Sequence, residues 1–132
     1  MTLSDEEKSN LVKYKIDRAG ETIEEARILI DNNKLFSAVN RIYYANFYIL
    51  SALALKYGFS TSKHKQLIGW FNKTFVKPGI AEGKFSSILL RSFENRSEGD
   101  YGDFVKFNKE EVEVMFNEMK EFVREIGKLI NS

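Results

Sequence analysis

The chain's one histidine, His64, stands in TSKHKQ between Lys63 and Lys65, and Arg96 is followed by Asp100 and Tyr101 in NRSEGDY. These residue types handle a phosphodiester. An imidazole moves a proton near neutral pH, and a guanidinium makes paired contacts to phosphate oxygens. An aspartate orients either group, while a tyrosine hydrogen-bonds through its hydroxyl and stacks its ring on a base. A further set lies upstream in AVNRIYYANFYI, where Asn40, Arg41 and Tyr44 interrupt a run of apolar residues. The first two sets suit contact with a phosphate or a carboxylate, and the third, a polar stripe on an apolar helix, must face water, a partner chain or a cleft. Each set also has a plainer reading: His64 capping or packing at a helix end, an Arg96–Asp100 ion pair holding a loop closed, and lysines that solvate helix surfaces.

The position of His64 predicts its electrostatics. In the first turn of a helix, unpaired backbone N–H groups together with Lys63 and Lys65 form a phosphate site. The same positive surroundings depress the imidazole pKa, which keeps the ring neutral and able to accept a proton. Metal and cofactor chemistry is not indicated. The sequence has one His and no Cys, no Glu-x-x-His pair and no Gly-rich loop after a strand, so zinc, di-iron and nucleotide-cradling motifs are missing.

The elements that must position these residues follow from apolar spacing. Ser4 with Glu7 makes a capping box for a first helix, which carries Leu11, Val12, Ile16, Ile23, Ala26 and Ile30 and runs to about Asp31. A second helix extends from Leu35 to just before Gly58. At about 100° per residue, Ser37, Asn40, Arg41, Tyr44, Tyr48 and Ser51 fall on one stripe and apolar residues cover the rest, which predicts a central helix. Asn46 points into the apolar side and requires buried hydrogen-bond partners. A third helix, capped by Thr61 or Ser62, buries Leu67, Ile68, Phe71 and Phe75 and stops at Lys77-Pro78-Gly79. A fourth starts near Ala81, buries Phe85, Ile88, Leu89 and Phe93, and breaks up in NRSEGDYGDF. Asn108 caps a fifth, with Val112, Met115, Met119, Phe122, Val123, Ile126 and Ile130 at spacings of three and four. The expected fold is all-α, an antiparallel up-and-down bundle of four to five helices in one domain spanning residues 1–132.

Charge narrows the classes further. The net charge is +1, yet residues 61 to 96 carry seven Lys or Arg against two Glu, a local basic excess suited to an anionic partner. The absence of cysteine excludes a disulfide scaffold and a thiol nucleophile and fits a reducing compartment. The acidic start MTLSDEEKSN lacks the pattern of a secretory signal, and no apolar stretch is long enough to span a membrane. A cytoplasmic protein without a membrane partner is expected.

Taken together, AVNRIYYANFYI, SKHKQL and RSEGDYGDF resemble the HEPN superfamily, and within it a group of short stand-alone helical proteins. Ala38, Asn40, Arg41, Tyr43, Tyr44 and Ala45, a His at the start of the next helix, and an Arg followed by Asp-Tyr carry the resemblance over nearly the whole chain. It implies a helical bundle that forms a homodimer and works beside a minimal nucleotidyltransferase in toxin and antitoxin or defence settings. It also implies metal-independent ribonuclease activity, with a signature of Arg, four to six residues, then His in a cleft between two copies. Here Tyr101 stands where that His belongs. Two outcomes follow. If His64 reaches the cleft, it moves the proton while Arg96 and Arg41 stabilise the phosphorane and Tyr101 places the base. Otherwise the chain is a non-catalytic RNA-binding or nucleotide-binding module, a partner of the nucleotidyltransferase, with Tyr101 as a candidate target for AMP. Asn40, Arg41 and Tyr44 then line the cleft or form a dimer interface.

Overall fold

The computed structural model of the chain describes residues 3–101 and 106–132, except for the side chains at 97–101. Among the described residues the fold is five α-helices with no strand: α1 (Asp5–Asp31), α2 (Leu35–Lys56), α3 (His64–Phe71), α4 (Gly83–Tyr101) and α5 (Lys109–Asn131). This is the all-α bundle expected from the apolar spacing.

Local chemistry explains where the helices start and stop. The α1 capping box is complete, with Glu7 N donating to Ser4 Oγ and Ser4 N donating to Glu7 Oε1. Asn108 caps α5 by accepting from Glu111 N at 2.8 Å. The turn between α1 and α2 needs a left-handed residue, and Asn33 supplies it with φ 62°. Gly58 does the same after α2, with φ 80°.

The structure refines two boundaries of the sequence expectation. The residue preceding α3 is Lys63, which makes no side-chain cap. Thr61 acts one step earlier, where its hydroxyl accepts from Lys63 N and donates to Gln66 Oε1. The fourth helix runs well into NRSEGDYGDF, because α4 continues to Tyr101. Gly99 is the weakest helix former in that last stretch, with Asn95, Ser97 and Asp100 also poor ones, and its cost of about 1 kcal/mol does not end a helix already anchored by its buried face. The third helix also continues past Phe71 as one wide π turn, Asn72–Val76, before Pro78 and Gly79 stop it.

The helix register is fixed by specific pairs. Arg41–Glu25 and the Arg18 guanidinium over the Tyr48 ring run α1 and α2 antiparallel. Asn46–Ser92 and Tyr44–Arg96 do the same for α2 and α4, as do Lys84–Glu121 and Arg91–Glu118 for α4 and α5. The central position predicted for α2 is observed, since it packs against α1, α3, α4 and α5 and buries Ala38, Val39, Ile42, Tyr43, Ala45, Ile49, Leu50 and Leu53. Ile16, expected in the core, lies at its edge and is exposed. Two apolar clusters stack along the bundle, and Val123 of α5 packs against both.

The stripe on α2 is as the projection requires: Asn40, Arg41, Tyr44, Tyr48 and Ser51 are half-buried and Ser37 is exposed. Asn46 has its buried partner, donating from Nδ2 to Ser92 Oγ at 3.1 Å. No helix among the described residues is long and apolar enough to cross a membrane.

Candidate functional site

His64 opens α3 beside the middle of α2, and its surroundings are mostly rings. The imidazole stacks on Phe47 with centroids 4.4 Å apart and on Tyr43 at 5.4 Å, and it meets Tyr44 edge-on at 6.1 Å. Phe93 of α4 stands 6.0 Å away. Tyr43 Oη lies 2.6 Å from His64 Nδ1. Tyr43 is fully buried and burial pushes its hydroxyl well above the usual tyrosine range, so it keeps its proton. The arrangement that satisfies every group has the tyrosine O–H donating to Nδ1, which leaves the ring N–H at Nε2.

The His64 pKa is held below its ordinary value first by burial and second by the charge of Arg96. The predicted direction is thus observed, but the cause differs. Lys63 and Lys65, expected to supply the depression, are exposed at the start of α3, where solvent screens them. The packing role considered for His64 is real as well, because its ring packs against both Phe47 and Tyr43.

Arg96 reaches the same place from α4. Its guanidinium lies over the rings of Tyr43 and Tyr44, at 5.9 and 5.6 Å, and Nη2 donates to the Tyr44 hydroxyl at 3.3 Å. Continuation of α4 past Asn95 is what makes this possible, since Arg96 projects from a regular helix turn one step beyond Ser92 and Phe93. Arg41 approaches Tyr44 from along α2, with its guanidinium 5.1 Å from the ring. Asn40 accepts from Arg41 Nε and Nη2, and Arg41 Nη1 stands 3.8 Å from Glu25. Tyr44 was expected to offer its ring to bases. In the structure its ring lies against two guanidinium groups.

The structure therefore brings together His64, Arg96, Tyr44, Arg41 and Asn40, with Lys63 and Lys65 on the adjoining exposed turn. Asp100 and Tyr101 have side chains outside the described residues. The basic stretch is smaller in effect than its composition suggests, because Lys84 and Arg91 pair with Glu121 and Glu118 of α5. Tyr43 was quoted in the motif but given no role. Its signal was available: a tyrosine on the apolar side of a central helix needs a partner for its hydroxyl, as Asn46 does for its amide. Among the described residues no group of three or more His, Cys, Asp or Glu side chains is placed to hold a metal ion.

The model of the HEPN domain matches residues 12–129. The chain belongs to the HEPN family. A relative from Thermotoga maritima, named "UPF0332 protein", is 43% identical over 94% of this chain and 94% of its own length. Two relatives from Methanocaldococcus jannaschii carry the name "Putative toxin". One is 34% identical over 87% of this chain and 85% of its own, and the other 26% identical over 89% and 80%. In this HEPN protein the matched span contains the whole α2–α3–α4 cluster just described.

Proposed function

We propose that this HEPN protein is the RNA-binding component of a toxin-type system, and that the α2–α3–α4 cluster seats a phosphodiester. The observation that carries this reading is the convergence of His64 and Arg96 on the same two tyrosines. Arg96 and Arg41 supply charge around Tyr44, the His64 N–H supplies a neutral donor, and Lys63 and Lys65 add the screened attraction that draws in a polyanion. The relatives named as toxins agree with that role.

The Tyr43–His64 bond favours binding over cleavage. To take a proton from a 2′-hydroxyl, His64 must expose a lone pair at Nε2, which places hydrogen on Nδ1 and turns it against the Tyr43 hydroxyl. The Tyr43 proton then loses its acceptor in a buried setting, at about 1–3 kcal/mol. The folded ring also resists the positive charge it gains as a base. His64 is therefore a ligand to phosphate rather than a general base.

The test is titration of a labelled single-stranded RNA by fluorescence anisotropy, with gel analysis of the same RNA in EDTA. Loss of a charged hydrogen bond worth about 1.5–3 kcal/mol predicts that Arg96→Ala weakens binding by about tenfold to a hundredfold. His64→Ala weakens it less, and the RNA stays intact with all proteins. Cleavage in EDTA that disappears in both variants would establish a metal-independent ribonuclease instead. Equal affinity of Arg96→Ala and wild type would remove the cluster from RNA binding altogether.

A further inference from the structure

Phe47 and His64 also border a cavity of about 500 Å³. It is bounded by the N-terminal half of α1, the second half of α2 and the segment from Phe59 to His64, and Asn40, Arg41, Tyr44 and Arg96 do not line it. We propose that it binds a small amphipathic anion: a compact apolar body carrying a single acidic group such as a carboxylate or sulfonate. The size is that of small-molecule sites, which run from about 300 to 1,000 Å³.

The lining sets the chemistry. Phe47, Leu55, Phe59 and Leu67 give it apolar walls, which excludes a fully hydrated ion as the preferred guest. Among the described residues Lys15 is the only charged one of the lining, and none of their carboxylates borders the space. It is half-buried, and among the described residues it makes no ion pair. The other polar groups are the hydroxyls of Ser51, Ser60 and Ser62, that of Thr61, whose hydrogen already goes to Gln66, and the ring of His64, whose Nδ1 is already occupied by Tyr43. What remains is an ammonium, an imidazole N–H and several O–H groups, a set that donates to an anion and offers little to a cation. A half-buried ammonium facing such walls attracts an opposite charge more strongly than one in open water.

Two probes share one apolar body and differ in charge. 8-Anilinonaphthalene-1-sulfonate carries the acidic group, and N-phenyl-1-naphthylamine lacks it. Binding to the full chain is followed by probe fluorescence and by emission of the single tryptophan, Trp70, which stacks on the cavity residue Phe59 at 5.5 Å. The expected result is saturable one-to-one binding of the sulfonate. Lys15→Gln weakens it at least fivefold and leaves the neutral probe within twofold. Ser51→Phe, which fills the cavity from α2, removes both probes while circular dichroism stays helical. Failure of the sulfonate to saturate at one site, or equal affinity in Lys15→Gln and wild type, overturns the proposal. The Lys15 comparison stands whether or not Ser51→Phe folds, and none of these readouts depends on RNA binding.

Discussion

Two polar pairs leave α2 within one turn of each other, and they differ in what they can do. Asn46 and Ser92 meet where both are buried, at 0% and 8% exposure, and Ser92 passes its own hydrogen to Leu89 O. Tyr43 and His64 meet at the edge of the core, with the tyrosine buried and the imidazole half-buried. The first pair has no end at the surface, so its value lies in positioning α4 against α2. The second is open at one end: the buried hydroxyl fixes one ring nitrogen, and the state of the other follows from it. The same physics, a polar atom that must not be buried alone, yields a structural tie in one case and a tuned ring in the other.

The contrast can be broken at its strongest point first. Asn46→Ala removes the donor to Ser92 and leaves a void, and a loss of about 2 kcal/mol in urea unfolding is expected. Replacing both partners, as Asn46→Leu with Ser92→Ala, should recover most of that loss, because among the described residues the Asn46 Oδ1 acceptor has no partner to forfeit. If the double variant is as unstable as the single one, the pair is not the self-contained tie described here.

Tyr43→Phe has a smaller effect on stability, about 1 kcal/mol for one hydrogen bond, but it acts on the histidine. Donation to Nδ1 favours the neutral ring, so its removal raises the His64 pKa. The chain has one histidine, and a proton NMR titration reads it without assignment. An unchanged midpoint in Tyr43→Phe would mean that the hydroxyl does not donate to the ring.

The pH dependence of stability sharpens the same point. The folded pKa of His64 is lowered from an unfolded value of 6.5, so the unfolded chain binds more protons between the two. Stability from this group is complete above about pH 6.5 and declines as the pH falls through that value toward the lower folded pKa. Thermal unfolding of wild type should show this decline, and His64→Gln should lose it. The smallest effect is expected from Lys63→Ala. It leaves stability unchanged and reduces the salt dependence of single-stranded RNA binding by about 0.7 in log–log slope, the share of one phosphate contact.

The helices and their ends were legible because their causes are local. Ser4 with Glu7 and Asn108 with Glu111 bind their own first turns, and the polar stripe of α2 is a matter of angle along one helix. Asn46 was legible as a buried amide for the same reason, though Ser92 as its partner was not. The end of α4 falls inside NRSEGDYGDF as expected, at Tyr101, though the helix runs further into that stretch than Gly99 and the polar residues around it suggest. The cause of the His64 pKa shift was misjudged. Sequence neighbours Lys63 and Lys65 point to solvent, whereas burial of the ring acts first and the charge of Arg96, on another helix, second.

The sequence by itself determined five amphipathic segments, their caps, a central second helix with a polar stripe, and the residue types able to meet a phosphate. Periodicity and capping operate within a few residues, so they are written in the chain order. Only the tertiary structure decided that Tyr43 holds His64, that two arginines share Tyr44, and that a cavity opens beside Phe47. Those contacts join residues up to 52 positions apart, and they depend on how helices dock and in what register, which side-chain volumes along the whole interface settle together.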